Sequence, residues 1–175
     1  MIVKRFKPSM NQIIPLITDA VSSGKDIKLT VTGYSMYPLL ESMSDSVVLT
    51  KPGKISKYDV VLFKRADGSH ILHRVIKIKN GVMTIAGDNE TKKEYPVYEK
   101  DVEAKMKAFE RNGKYHTQKK ESANFHALSF SNPQLVSAHL PKFGILTFHR
   151  LTVNTSSTPA VPGISRFRSL PFPQK

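Results

Sequence analysis

Three short segments of the chain carry side chains that could act together as a nucleophile, a general base and an acid. Ser35 lies in Thr-Gly-Tyr-Ser-Met-Tyr-Pro, between a glycine and a proline that are typical of a turn at the end of a strand. His73 lies in Ile-Leu-His-Arg-Val-Ile, and Asp88 lies in Gly-Asp-Asn-Glu. A serine hydroxyl needs a neighbouring base to become a nucleophile, and an imidazole base needs a third group to orient it. The three residues therefore fit a serine hydrolase, provided that the fold brings them together.

Each of these residues also has an ordinary structural interpretation. Glycine, serine and proline are common turn residues, so Ser35 could simply bond its own backbone. His73 could be a core histidine with a satisfied hydrogen bond, because the two-residue period of a strand places it on one face with Ile71 and Val75. Asp88 could bond the backbone of its own Gly-Asp-Asn turn. None of the three is decisive alone.

The spacing of the second and third segments favours their proximity. Asn80-Gly81 is a strong signal for a two-residue hairpin turn. His73 and Asp88 lie at similar distances along the chain on either side of this turn, so a hairpin would bring them near each other. We therefore predict that Asp88 orients the His73 imidazole. The neighbouring His70 falls on the other strand face and is expected to be exposed or packed elsewhere.

The elements that must position these residues are predicted to be mostly short strands. Apolar residues recur at helical spacing over residues 10–23, with Gly24 as a stop and Pro15 as either the start of the helix or a kink. Short apolar runs bounded by turn residues then indicate strands at about residues 27–31, 46–50, 59–64, 70–79, 82–86 and 102–109. This pattern predicts a mainly β fold, a barrel or a sandwich, with a short N-terminal helix.

The character of the chain changes near residue 115. The formal net charge is +13, yet residues 116–175 contain a single acidic residue, Glu121, and six of the 11 prolines. We therefore predict one domain over residues 1–115, followed by a basic Pro/Ser-rich extension over residues 116–175 that is irregular or disordered. Within the extension, residues 143–153 could form a short strand.

The composition excludes several kinds of functional site. The chain has no cysteine, which excludes disulfides, thiolate metal sites and a cysteine nucleophile. Its histidines show no metal-protease spacing, and we predict neither a metal nor another cofactor. The positive charge attracts nucleic acid or anionic lipid only as a non-specific field, so no specific nucleic-acid partner is predicted. No apolar run reaches the roughly 18 residues of a membrane span, so we expect a protein that is soluble or peripheral to a membrane, with the cytoplasmic side slightly favoured.

The order of the segments resembles that of the signal peptidase I family. A Gly-x-Ser-Met-x-Pro box is followed by an Asp-Val-Val-Leu-Phe box, an His-Arg-Val-Ile box and a Gly-Asp-Asn box. The histidine resembles the sporulation-type, archaeal and endoplasmic-reticulum branch, whereas the bacterial branch carries a lysine at that place. The resemblance implies a signal-peptidase-like β fold and a serine endopeptidase that cleaves an extended peptide or precursor-protein substrate.

The resemblance also implies roles for individual residues. Ser35 would be the nucleophile, with its own backbone N–H in the oxyanion hole, and His73 would be the base with Asp88 as its acidic partner. In the first box, three further residues would contact the substrate: Gly33, Met36 and Pro38. In the later boxes, three residues would support the site: Arg74, Gly87 and Asn89.

Two features depart from the family. Tyr58-Asp59 stands where Gly-Asp is usual, and no membrane anchor is evident. Two alternatives therefore stay open: a self-processing regulator with the same fold, and a basic non-enzymatic module that binds nucleic acid or membrane. Only about 25 residues precede the first predicted strand, too few for the DNA-binding domain that such regulators carry. The sequence sets neither the compartment, nor the oligomeric state, nor the identity of the substrate.

Overall fold

The computed structural model describes residues 10–117, 147–153, 159–161 and 164–165, with side chains described for residues 12–117. Within these residues it contains one α-helix and a large antiparallel sheet, which confirms the prediction of a mainly β protein with a short N-terminal helix. The helix α1 spans Met10–Ser22 and continues through Pro15. It ends before Gly24, which takes a positive φ of 73° that glycine adopts readily.

The strands and one short 3-10 helix follow α1 along the chain. The main-sheet strands are β1 (Ile27–Thr32), β2 (Ser46–Thr50), β3 (Val60–Lys64), β4 (His70–Lys79), β5 (Val82–Ala86), β6 (Lys93–Tyr98), β7 (Val102–Arg111), β8 (Lys114–Thr117) and β9 (Thr147–Val153). The 3-10 helix spans Glu99–Asp101, and a separate two-stranded sheet contains β10 (Pro159–Val161) and β11 (Ile164–Ser165). The order across the main sheet is β6-β5-β4-β3-β7-β2-β1-β9, and β8 pairs with β7 outside this path.

The main sheet is open within the described part of the chain. β6 and β9 stand at its two ends and do not pair with each other. Of the two predicted architectures, a barrel or a sandwich, the barrel is not closed within these residues, because the two end strands do not join. The sheet instead buries apolar side chains on both of its faces.

Strand β3 shows how the two faces are filled. Val60 and Leu62 belong to a first apolar cluster, which also contains the buried side of α1. Val61 and Phe63 belong to a second cluster. Because successive side chains of a strand point to opposite faces, this alternation places the clusters on opposite sides of the sheet. Burial on both faces explains why the sequence of β3 is continuously apolar.

The Asn-Gly hairpin prediction between β4 and β5 is confirmed. Asn80 and Gly81 have φ values of 51° and 76°, as a two-residue hairpin turn requires. The two strands pair in a register that sets Arg74 opposite Ala86. This register brings the Gly-Asp-Asn segment, which starts just after Ala86, alongside His73.

The C-terminal extension begins inside a strand. The predicted boundary between residues 115 and 116 falls within β8, where the His116 ring stacks on Phe109 with centroids 4.9 Å apart. β9 lies within the stretch 143–153 that the sequence predicted as a strand, and it pairs with β1. The extension is therefore not irregular throughout, since β9 adds an edge to the main sheet. Much of the rest of 116–175 lies outside the described residues.

Candidate active site

Ser35 lies in the turn that follows β1. Gly33 has a φ of 96°, which favours glycine, and its N–H donates to Ser42 Oγ at 3.1 Å. The Tyr37 N–H donates to the Tyr34 carbonyl at 3.1 Å, which closes the turn around Ser35. The turn holds Ser35 at only 4% exposure, so this residue is buried.

His73 lies in β4 and is fully buried. Its same-face neighbours Ile71 and Val75 belong to the second apolar cluster, as the two-residue period predicted. The Phe63 ring lies 6.5 Å from the imidazole, centroid to centroid. The Nδ1 atom of His73 lies 3.1 Å from Oε1 of Glu94, a residue of β6. One ring nitrogen is therefore held by a carboxylate, and the other, Nε2, is left for a different partner.

Gly87 is the point at which the serine turn, His73 and the Gly-Asp-Asn segment meet. A β-carbon added to Gly87 would lie 2.6 Å from the Ser35 carbonyl oxygen and 3.0 Å from His73 Nε2. The nearby Asn89 N–H donates to the same Ser35 carbonyl at 2.9 Å. The structure thus brings the three predicted segments together, and only a glycine permits this close approach.

Two residues that meet at Gly87 carry buried polar atoms without a hydrogen-bond partner. Among the described residues, Ser35 Oγ, His73 Nε2 and His70 Nδ1 are buried and make no hydrogen bond. Leaving a buried polar group unpaired costs about 1–3 kcal/mol, so two such groups in residues that meet at one glycine are unusual in a structure without a function for them. The serine and imidazole atoms are not bonded to each other here, and in many enzymes that bond tightens only when substrate is bound.

His70 lies apart from this site. It is 9% exposed on the opposite face of β4 from His73, packed elsewhere as the sequence predicted, with Nε2 3.8 Å from Glu103 Oε1. Burial lowers the pKa of His70 from its ordinary value, and the charge of Glu103 opposes that shift. The third unpaired atom, His70 Nδ1, therefore lies outside the place where Ser35 and His73 meet.

Asp88 is bound by Arg74 and not by His73, which corrects the prediction that it orients the imidazole. Arg74 donates from Nε to Oδ1 and from Nη2 to Oδ2, each at 2.6 Å, and from Nη1 to the Tyr58 carbonyl at 3.0 Å. Both charged side chains are buried, with 2% and 5% exposed. Arg74 follows His73 in β4 and so points to the other face, where its charge needs a carboxylate. Asp88 therefore fastens the Gly-Asp-Asn segment to β4.

Glu94 is the acid that reaches His73, and the sequence motifs did not single it out. Arg65 donates from Nε to Glu94 Oε2 and from Nη2 to Glu94 Oε1, each at 2.7 Å. Burial alone would raise the pKa of Glu94, but the hydrogen bonds from Arg65 and His73 lower it to about 2. Glu94 is therefore ionised at neutral pH and accepts a hydrogen bond from Nδ1. No sequence signal pointed to Glu94, because β6, the strand that carries it and pairs with β5, is not among the predicted strands.

A second carboxylate lies on the other side of the imidazole. Glu90 Oε2 is 3.8 Å from His73 Nε2, too far for a hydrogen bond, and the Glu90 side chain is 33% exposed.

The residues predicted to contact a substrate occupy different environments. Met36 is fully buried in the first apolar cluster, which corrects the prediction that it contacts the substrate: its side chain anchors the serine turn to the core. Pro38 is exposed and Gly33 is half-buried. Two tyrosines of the same turn, Tyr34 and Tyr37, are 37% and 39% exposed. These tyrosines and Pro38 form the accessible rim of the turn.

Two other features are absent from the part of the chain that the structure describes. In it, no three His, Cys, Asp or Glu side chains are grouped so that they could hold a metal ion. None of its helices has the length and apolar character needed to cross a membrane.

Comparisons with known proteins add no relative. No family model matches the chain, and no curated protein or solved structure matches it. The resemblance to signal peptidases therefore depends on the four sequence boxes alone.

We expect Gly87→Ala to disturb the site and destabilise the protein by about 1–3 kcal/mol, because the added carbon would overlap the Ser35 backbone oxygen. Urea unfolding measures the stability, and amide chemical shifts of Ser35 and Asn89 report the site. Gly113→Ala is the control: its added carbon meets no atom within 4 Å, and only its positive φ of 74° is strained. Unchanged Ser35 and Asn89 shifts in Gly87→Ala would contradict the close approach.

Proposed function

We propose that this chain is a serine endopeptidase with a signal-peptidase-like fold, in which Ser35 is the nucleophile and His73 is the general base. The observation that carries the proposal is the presence of two buried atoms, Ser35 Oγ and His73 Nε2, that lack partners among the described residues and belong to residues meeting at Gly87. A hydroxyl and an imidazole nitrogen are the two groups that serine acyl transfer requires. The order of the four sequence boxes supports the same assignment.

Glu94 takes the orienting role that the sequence motifs suggested for Asp88. When the imidazole is neutral, the ionised Glu94 favours the tautomer with its hydrogen on Nδ1, because only a protonated nitrogen can donate to a carboxylate. Nε2 then carries a lone pair and can accept the Ser35 proton. Glu94 also stabilises the imidazolium that forms when this proton arrives.

The proposed reaction proceeds through an acyl-enzyme. Ser35 Oγ attacks the peptide carbonyl carbon while its proton moves to His73 Nε2. The C–N bond then breaks as His73 returns that proton to the leaving amine. A water molecule next gives a proton to Nε2 and attacks the acyl carbon. The ester bond to Ser35 breaks, the hydroxyl regains its proton from His73, and the acid product leaves.

The serine turn also offers a donor for the negative oxygen of the tetrahedral intermediate. Among the hydrogen bonds of residues 10–117, the Ser35 carbonyl accepts from Asn89, whereas the Ser35 N–H engages no acceptor. A backbone N–H that is held in a tight turn and left unpaired is suited to an oxyanion hole. This observation supports the role that the family resemblance implies for the Ser35 N–H.

The proposed substrate is an extended peptide segment of a precursor protein. Ser35 is almost buried, so the scissile carbonyl must enter past the exposed rim formed by Tyr34, Tyr37 and Pro38. A rim of this kind contacts the peptide through ring faces and leaves the turn backbone to bind the reacting group. Membrane attachment, where it occurs, would be peripheral and would use the positive surface.

A serine-directed fluorophosphonate probe tests the proposal. We expect wild type to gain one probe adduct at Ser35, detected by intact mass and peptide mapping, because an activated hydroxyl attacks the phosphorus centre. His73→Ala should label far more slowly, and Ser35→Ala should not label. Ser56→Ala, which removes an exposed serine, is the matched control and should label like wild type. Equal labelling of wild type and Ser35→Ala would overturn the assignment.

A further inference from the structure

Arg65 occupies a defined place behind the proposed base. It directly follows β3 and precedes the short turn into β4, and it donates two parallel hydrogen bonds to Glu94. A planar guanidinium matches the two oxygens of a carboxylate in this way, and a lysine ammonium cannot. The pair therefore fixes both the position and the rotation of the Glu94 carboxylate.

One oxygen of Glu94 links Arg65 to the imidazole. Glu94 Oε1 accepts from Arg65 Nη2 at 2.7 Å and lies 3.1 Å from His73 Nδ1. Glu94 stands near the start of β6, an end strand that pairs only with β5 among the described residues. The flexible glutamate side chain on such a strand needs a second anchor if it is to hold one orientation. Arg65 is the anchor that the structure provides.

The backbone of Arg65 is itself held in place. Its N–H donates to the Ser69 carbonyl at 2.8 Å, and its carbonyl accepts from the Gly68 N–H at 2.9 Å. Asp67 binds both the N–H and the hydroxyl of Ser69, at 2.8 and 2.6 Å. The turn between β3 and β4 is therefore well bonded and sets where the guanidinium can reach.

We infer that Arg65 is a positioning residue, which acts through Glu94 to hold the His73 imidazole with its hydrogen on Nδ1 and its lone pair on Nε2. The guanidinium bonds to the carboxylate and the carboxylate bonds to the ring, so the effect of Arg65 passes through Glu94. The effect of Arg65 on turnover rests on the proposed function, whereas its effect on the imidazole does not. Arg65 and Glu94 also line an open cleft of about 850 Å³, and the Arg65 side chain is 23% exposed.

The test compares three variants by the tautomer of His73 and by turnover. In ¹⁵N-histidine-labelled wild type, we expect Nδ1 to be protonated and Nε2 to be bare at a pH where the ring is neutral. Arg65→Gln should raise the fraction with its hydrogen on Nε2 and lower turnover about 10–100-fold, as loss of a supporting partner typically does. Relative to Arg65→Gln, Arg65→Lys should recover part of the Nδ1-protonated fraction and part of the turnover. Lysine keeps the positive charge but lacks the planar guanidinium that binds both carboxylate oxygens.

Lys107→Gln is the control, because Lys107 also pairs with a poorly exposed carboxylate, Asp26 at 2.8 Å, on the part of the sheet beyond β3. It should leave the His73 signals and turnover as in wild type. Wild-type tautomer signals in Arg65→Gln would overturn the positioning role, whatever the turnover. A shifted tautomer in Arg65→Gln, with no peptide cleavage or probe labelling by wild type, would support the positioning role and overturn the proposed function.

Discussion

Replacing Ser35 with alanine is expected to lower the turnover of a cleavable precursor peptide at least about 10⁴-fold, because no acyl-enzyme can form without Oγ. The same change should leave the free energy of unfolding unchanged or slightly raised. Ser35 Oγ is buried without a hydrogen bond among the described residues, so its removal takes away an unpaired polar group and leaves no partner behind. Lost activity in an intact fold is the pattern of a nucleophile and not of a structural turn serine.

The measurement pairs peptide cleavage with urea unfolding. Peptides with small residues at the cut are the first choice, since the family resemblance implies that preference. Ser42→Ala provides the opposite pattern: Ser42 Oγ accepts the Gly33 N–H, so its loss should cost about 1 kcal/mol of stability and reduce turnover far less. A Ser35→Ala protein that still cleaves at the wild-type rate would refute the nucleophile assignment.

Removing the charge of Asp88 and removing the charge of Glu94 should affect different properties: the first should lower stability and the second should lower turnover. Asp88→Asn leaves the Arg74 charge buried without its full partner, so we expect the free energy of unfolding to fall by about 3–5 kcal/mol. The folded fraction should still turn over substrate. Glu94→Gln should instead lower turnover about 10²–10⁴-fold, because an amide can donate its own hydrogen to Nδ1 and so favour the wrong tautomer.

Calorimetry and turnover per folded molecule measure these two effects separately. The stability loss in Glu94→Gln should be the smaller of the two, because Arg65 and Glu94 are partly exposed, at 23% and 13%, and water can solvate what remains. If Asp88→Asn were the inactive and stable variant while Glu94→Gln were active, the imidazole would have the partner that the sequence first suggested. In that case, Asp88 would have to leave Arg74 and bind His73.

Local sequence patterns predicted the features that depend on neighbouring residues. Asn80-Gly81 has the turn chemistry of a two-residue hairpin, so the pairing of β4 with β5 follows from the residues at the turn. The face of His73 followed from the strand period, since Ile71 and Val75 lie with it in one cluster. These predictions needed only the geometry of a single strand or turn.

The choice between two acids could not be made in this way. Asp88 lies at the right distance from the hairpin turn, but its side chain meets Arg74 on the other face of β4. Glu94 reaches His73 only because β6 pairs with β5 in one particular register, with Glu94 opposite Ile85. Pairing register depends on contacts across the sheet, and a short strand with charged and aromatic residues does not reveal it.

Pairing between distant segments limited the prediction of the fold for a similar reason. β9 pairs with β1 although more than half of the chain separates the two strands. The local sequence of an edge strand does not predict which strand it pairs with. The place of Met36 in the Gly-x-Ser-Met-x-Pro box predicts contact with the substrate. The structure places its side chain in the first apolar cluster instead, because the turn folds back over the core.

The position of β6 at one end of the sheet has a consequence for how the proposed activity would be lost. The proposed nucleophile and base lie on segments close to the two apolar clusters, but Glu94, the proposed orienting acid, lies on an end strand paired only with β5 in the described structure. End strands open locally at a smaller free energy than central ones. Fraying at this edge would therefore abolish the proposed activity while the interior of the protein stays intact.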